Sequence, residues 1–164
     1  MRNLQQWLDE YSESHRNLTN KRIHWLCVPA ILFSIVGFSW HLSTVMTIVL
    51  IALTLLFYAR LSLPLLMAMS VLMLLMVLLI NWLPIGAGFF VGLFVVAWIG
   101  QFYGHKVEGK KPSFFKDLQF LLIGPAWCMD AAIGKFFPNW RKRFIEQPAW
   151  LLPIAWYEGL VFWS

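Results

Sequence analysis

The stretch HRNLTNKRIHWLCVPAILFSIVGFSW, residues 15–40, decides how this chain is read. Its second part, residues 23–40, is almost wholly apolar and long enough to cross a bilayer as a helix, which takes about 17–25 residues. Its first part packs His15 and His24, Asn17 and Asn20, and the cations Arg16, Lys21 and Arg22 against that run. Cations anchor a helix end at the headgroups. Imidazoles have no general need to be there. Asn20 reads as an N-cap with the helix beginning at Lys21, which sets His24 one turn inside the helix mouth.

Working outward, three more apolar segments follow at residues 44–58, 61–80 and 83–102, joined by short links that make successive helices antiparallel neighbours. The 164 residues are 60% hydrophobic, against about 45–50% for a soluble domain. Ten Trp suit a chain with much surface at the headgroups. The net charge of +5 comes without a basic stripe bearing stacking aromatics, which excludes a nucleic-acid reading and leaves membrane orientation as its use. Cys27 and Cys128 stand alone in apolar settings and read as buried thiols. The first residues lack the apolar core of a signal peptide. Residues 3–14 instead pattern as an amphipathic helix, with Leu4, Trp7, Leu8 and Tyr11 on one face, suited to lying in the interface plane.

Cations fall on one side of this scheme: Arg16, Lys21 and Arg22 before the first span, Arg60 after the second, and Lys106, Lys110, Lys111 and Lys116 after the fourth. The positive-inside bias therefore places the N-terminus in the cytoplasm, at the inner membrane if the source is bacterial. Residues 118–133 are apolar again, but Lys135, Arg141, Lys142 and Arg143 follow, so a fifth crossing would put cations outside. Gly124-Pro125 interrupts that segment, which predicts a re-entrant or interfacial hairpin. Residues 150–163 suit an interfacial helix. The expected fold is a single all-α membrane domain, 1–164, with four transmembrane helices between an interfacial N-terminal helix and that C-terminal hairpin.

This topology sorts the four histidines. His15, His24 and His105 fall at the inner border, and His41 lies a membrane thickness away, about 30 Å. The break RNLTN lets His15 turn back toward His24. His105 and Glu108 are three residues apart and share a face of a helical turn. Three imidazoles and a carboxylate suit zinc or non-haem iron; the competing reading makes them snorkelling border groups, with Glu108 paired to Lys110 or Lys111. Gln101 and Tyr103 flank His105 and are candidates to orient it. Asn17 and Asn20 serve as turn and cap, or as a further supporting shell. Asp130 is an ionisable group in an apolar segment, either functional or paired with Lys135.

Three blocks carry a resemblance: HRNLTNKRIHWLCVP with Tyr11 ahead of it, WIGQFYGHKVEGKKPSF at residues 98–114, and LLIGP at residues 121–125. In this order they resemble the 2-hydroxy fatty acid dioxygenase family, small multi-helix membrane proteins whose fungal representative acts in phytosphingosine breakdown. The resemblance implies Fe(2+)-dependent α-oxidation: a long-chain 2-hydroxy fatty acid and O2 give the fatty acid one carbon shorter and carbon dioxide. It carries essential histidines over to His15, His24 and His105, the expected metal ligands together with Glu108. The fungal pattern has a second histidine where this chain has Arg16, and its acidic residue after the Gly-His pair stands one place later than Glu108. Arg22, Lys106 and Lys110 become candidates to attract the substrate carboxylate, alongside their role in orientation. The alternative is a non-enzymatic membrane scaffold or lipid-binding protein with histidines as polar anchors.

Overall fold

The computed structural model describes residues 3–115, 117–138 and 140. Among these the chain is all helical: α1 (Leu4–Glu13), α2 (Leu18–Leu42), α3 (Thr44–Leu61), α4 (Leu63–Trp82), α5 (Ala87–Glu108), a single 3-10 turn (Ser113–Phe115) and α6 (Phe120–Phe136). Helices α2 to α5 are each long and apolar enough to cross a membrane. Their outer faces carry Leu53, Leu74, Leu78, Val96 and Ile99 largely exposed. In water such a surface would aggregate; in a bilayer it is the solvated one. The chain is thus an integral membrane helical bundle.

Local chemistry sets the helix ends. Asn3 and Gln6 form a reciprocal capping box at the start of α1. Asn17, not Asn20, caps α2: its side chain accepts from Thr19 N at 2.8 Å. The helix therefore begins three residues earlier than the sequence suggests, and Asn20 is carried inside it, fully buried. Ser43 and Ser62, each in extended conformation, are the only residues between α2 and α3 and between α3 and α4. One-residue links leave no choice but antiparallel neighbours.

Helix α2 is the centre of the bundle. It packs along α5 and also touches α3, α4 and α6, while α1 packs on α6. Lipid tails are as apolar as leucine, so close packing rather than water exclusion must hold spanning helices together. The α2–α5 seam achieves it with glycine. A Cβ on Gly100 would stand 2.6 Å from Cys27 Sγ, and one on Gly104 only 2.4 Å from Asn20 Oδ1. The Gly100–Gly104 pair thus lets the two backbones approach at the end of the bundle that bears the histidines.

Two elements depart from expectation. The apolar face of α1 is buried on protein: Trp7 meets the Phe120 ring edge-on at 5.0 Å, and Trp127 Nε1 donates to Ser12 Oγ at 3.0 Å. And Gly124-Pro125 does not turn the chain back; α6 runs through it as one helix. Proline removes the donor that would reach Leu121 O, and the adjacent carbonyl, Leu122 O, takes a bond from the Tyr58 hydroxyl at 2.7 Å. Gly124 leaves room for Tyr11, whose hydroxyl would lie 3.1 Å from a Cβ there. The Gly-Pro pair serves packing rather than reversal. The expected interfacial helix at 150–163 and the cations at 141–143 lie outside the described residues.

Candidate metal centre

The α1–α2 link, α2 and α5 deliver one imidazole each to the same point. His15 follows the end of α1, His24 lies one turn and a half into α2, and His105 is in the last turn of α5. All three are buried. One ligand atom from each lies within 4.8 Å of the others. Ring centroids are 4.3 Å apart for His15 and His24, 5.0 Å for His15 and His105, and 4.8 Å for His24 and His105. The rings cross at 70–89°, edge to face.

The hydrogen bonds fix which nitrogens are free. His15 Nδ1 lies 2.6 Å from Tyr11 O, and His24 Nδ1 lies 3.0 Å from Asn20 O. A carbonyl only accepts, so each Nδ1 bears the proton and each Nε2 keeps its lone pair. His15 Nε2 and His105 Nδ1 are buried with no hydrogen-bond partner. Orphaned buried acceptors are costly unless something binds them. Three clustered imidazoles, two oriented from behind by backbone carbonyls, make a donor set that could hold a divalent metal ion with room for further ligands. The residues present fit such an ion.

Burial keeps His15 neutral, drawing its pKa from 6.5 down to about 4; the Tyr11 carbonyl opposes this and His105 reinforces it. The folded state therefore binds this proton more weakly than the unfolded chain does. Its contribution to stability is complete above pH 6.5 and is lost as the pH falls toward 4. Metal-free protein in detergent is expected to lose Tm across that window, and His15→Gln to lose less of it. An equal loss in the variant would contradict the neutral, buried state assigned to His15.

Glu108 stands beside the cluster. Its carboxylate accepts from Arg16 N at 3.0 Å, Asn17 N at 2.8 Å and Asn20 Nδ2 at 3.1 Å. It clamps the α1–α2 link onto the end of α5, and so sets His15 against His105. It is not one of the grouped metal-ligating atoms among the described residues. The carboxylate already receives three N–H groups, which leaves open about one of its four lone-pair sites. Asn20 completes the clamp by donating to Ser14 O at 3.2 Å. Asn17 contributes its cap and its backbone N–H.

The other candidates divide. Gln101 is buried and lines a cavity together with His24 and His105. Tyr103 is exposed, half a turn round α5 from His105, and so is poorly placed to orient that ring. Arg22 and Lys106 are exposed, and Lys110 Nζ donates to Glu13 O at 2.8 Å, closing the end of α1. None of these three cations lines the cavity. Arg22 and Lys106 stand two and one positions from an inward histidine and so point elsewhere on their helices, and Lys110 lies beyond the end of α5. His41 remains apart at the opposite end, its Nδ1 2.9 Å from Gly37 O. Asp130 is buried in α6, and Met73 and Met76 are core while Met67 is exposed.

The cavity, about 370 Å3, begins at the histidines and runs between the helices. Along α2 it is lined by His24, Val28, Leu32, Ile35 and Ser39, and along α5 by His105, Gln101, Trp98 and Phe94, both at helical spacing. Its wall is almost wholly apolar away from the histidine end. Sequence reasoning missed Ser113 in this wall. Its hydroxyl is buried without a hydrogen-bond partner, and the residue lines the same cavity as His24 and His105. Nothing in KKPSF marks it, because the 3-10 turn that brings it in is not periodic enough to read.

Comparison with known proteins agrees with this geometry. The chain is 35% identical over 134 residues to the 2-hydroxy-palmitic acid dioxygenase MPO1 of Saccharomyces cerevisiae, covering 77% of either chain. No solved structure matches it significantly. The family model described as 2-hydroxy-palmitic acid dioxygenase Mpo1-like matches residues 1–136, from the start of the chain to the end of α6. With the histidine cluster, its clamp and its cavity all inside that match, the chain belongs to the 2-hydroxy-palmitic acid dioxygenase Mpo1-like family.

Proposed function

We propose that this protein is an Fe(2+)-dependent dioxygenase that converts a long-chain 2-hydroxy fatty acid and O2 into the fatty acid one carbon shorter, carbon dioxide and water. The observation that carries this reading is the set of three buried, clustered imidazoles, two of which, His24 and His105, line an apolar cavity, in a chain related to a 2-hydroxy-palmitic acid dioxygenase. When bound, ferrous iron supplies a Lewis-acid centre for the 2-hydroxy acid head and the redox chemistry that O2 requires.

The residues supply everything else. His15, His24 and His105 hold the metal, and Tyr11 O and Asn20 O hold two of those rings in place. Tyr11 stacks on His15 with centroids 4.1 Å apart, and Trp127 approaches it at 5.5 Å, so that ring is shielded from water. Gln101 and Ser113 offer hydrogen bonds to the acid head, and the cavity takes the tail. Arg22, Lys106 and Lys110 act on a carboxylate only at long range, and their main effect is to keep this end of the bundle in the cytoplasm. A reporter joined after Ser164 is expected to be cytoplasmic; a signal from the far side would refute that orientation.

The direct test is anaerobic reconstitution with ferrous iron followed by oxygen and 2-hydroxyhexadecanoate. Pentadecanoate and carbon dioxide in equal amounts support the reading. Unchanged substrate with iron fully bound refutes it. Ser113→Ala removes no existing internal partner, so its effect reports substrate alone. Loss of a hydrogen bond to a charged group is worth about 1.5–3 kcal/mol, and kcat/KM is expected to fall about tenfold or more through KM. An unchanged KM would remove Ser113 from the head-binding set.

A further inference from the structure

We infer that the outer end of the cavity, at Ser39, Thr47 and Phe90, sets the longest acyl chain this protein accepts. The inference rests on the reading that an acid head binds at the histidines, and it adds the residues that measure the tail. Lining residues on α2 run from His24 to Ser39, a climb of about 22 Å at 1.5 Å per residue. That exceeds one leaflet of a bilayer whose hydrocarbon core is about 30 Å thick. An extended tail of the kind found in membrane lipids fills such a length, and a much longer one that follows the cavity axis meets its far end.

At that end the hydroxyls are paired and a buried ring follows. The Thr47 hydroxyl bonds Ser39 Oγ at 3.0 Å and Ser43 O at 3.1 Å, and Ser39 Oγ donates to Val36 O at 3.0 Å. The hydroxyls satisfy one another, so the end of the cavity offers a methyl-terminated tail no unpaired polar group. On α5 the lining stops at Phe94. One turn further, Phe90 is fully buried, its ring filling the space above Gly37 and meeting Phe33 at 5.5 Å and His41 at 5.4 Å. Passage beyond Ser39 would require that ring to leave.

Thr47 and Thr54 line the cavity on the same face of α3, about 10 Å apart along the axis, with Thr54 nearer the histidines. This gives an internal scale. Full-length Thr47→Phe and Thr54→Phe are compared with wild type in detergent by two readouts. One is kcat/KM of the iron-loaded protein on 2-hydroxyhexadecanoate, 2-hydroxydodecanoate and 2-hydroxyoctanoate. The other is the Tm shift that the corresponding unsubstituted fatty acids give the metal-free protein. Thr47→Phe is expected to lower the hexadecanoate-to-dodecanoate ratio at least tenfold, and Thr54→Phe to move the cut-off below dodecanoate in both readouts. Misfolding lowers all lengths together and does not order the two variants. The same length preference in both variants and wild type overturns the inference. Graded Tm shifts without turnover in any protein uphold the acyl site and refute the oxygenase reading instead. Absence of Tm shift for every chain length in wild type refutes the acyl site itself.

Discussion

His24→Ala and His105→Ala are each expected to abolish stoichiometric metal binding, with His15→Ala close behind. Each ring is buried and each supplies one of three clustered nitrogens, so no neighbouring side chain replaces it. Changing a group that merely supports a metal ligand already costs about 10–100-fold in affinity; loss of a ligand itself is expected to exceed that, and turnover to fall with it. Glu108→Gln separates ligand from clamp. The amide keeps the shape and one acceptor but loses the charge that two backbone N–H groups and Asn20 now share. It is expected to weaken iron binding about 10–100-fold rather than eliminate it. His41→Ala, at the other end of the bundle, is expected to retain metal and activity. Metal content per chain, measured on protein whose detergent Tm is intact, decides all of these. Full iron in His24→Ala would exclude it from the site, and complete loss in Glu108→Gln would return the carboxylate to the ligand set.

Gly104→Val is expected to be nearly as damaging although it touches no ligand. The added Cβ stands 2.4 Å from Asn20 Oδ1 and 3.4 Å from Ile23 Cγ2. Asn20 has nowhere to go, since it is fully buried and tied through Nδ2 to Ser14 O and Glu108. The helices must separate instead. Overpacking of this kind costs about 1–3 kcal/mol, and here it opens the seam at the point where His24 and His105 meet. Gly104→Ala is expected to lose at least tenfold in metal affinity, and Gly104→Val to lose both affinity and expression. Gly92→Ala is the control: it lies on the same helix, where a Cβ would meet nothing within 4 Å, and alanine favours helix over glycine by about 1 kcal/mol. Wild-type iron content in Gly104→Val would show that the seam does not set the site.

The spans were legible because hydropathy alone identifies them, and the grouping of His15, His24 and His105 followed once antiparallel helices had put them at one border. What stayed hidden depends on side-chain direction and on third parties. Nothing in GQFYG shows that Cys27 and Asn20 occupy the gaps its glycines leave. Glu108 has helical spacing to His105, but the N–H groups of Arg16 and Asn17 claim it from across the sequence. Pro125 looks like a break because local rules do not know that Tyr58 hydrogen-bonds the carbonyl beside it. The amphipathic face of α1 is visible as a pattern, yet the pattern cannot distinguish a lipid surface from the aromatic side of α6. Ser113 carries no periodic signal at all, and only its orphaned hydroxyl in the cavity wall marks it.

X-ray absorption at the iron edge, on full-length protein reconstituted with one ferrous ion per chain, tests the histidine centre most directly. The expected spectrum contains the scattering of three imidazoles with oxygen ligands completing the shell, and loses imidazole scattering in His15→Ala, His24→Ala and His105→Ala alike. Iron surrounded by oxygen alone, or an imidazole count unchanged by those substitutions, would contradict a metal held where α1, α2 and α5 converge.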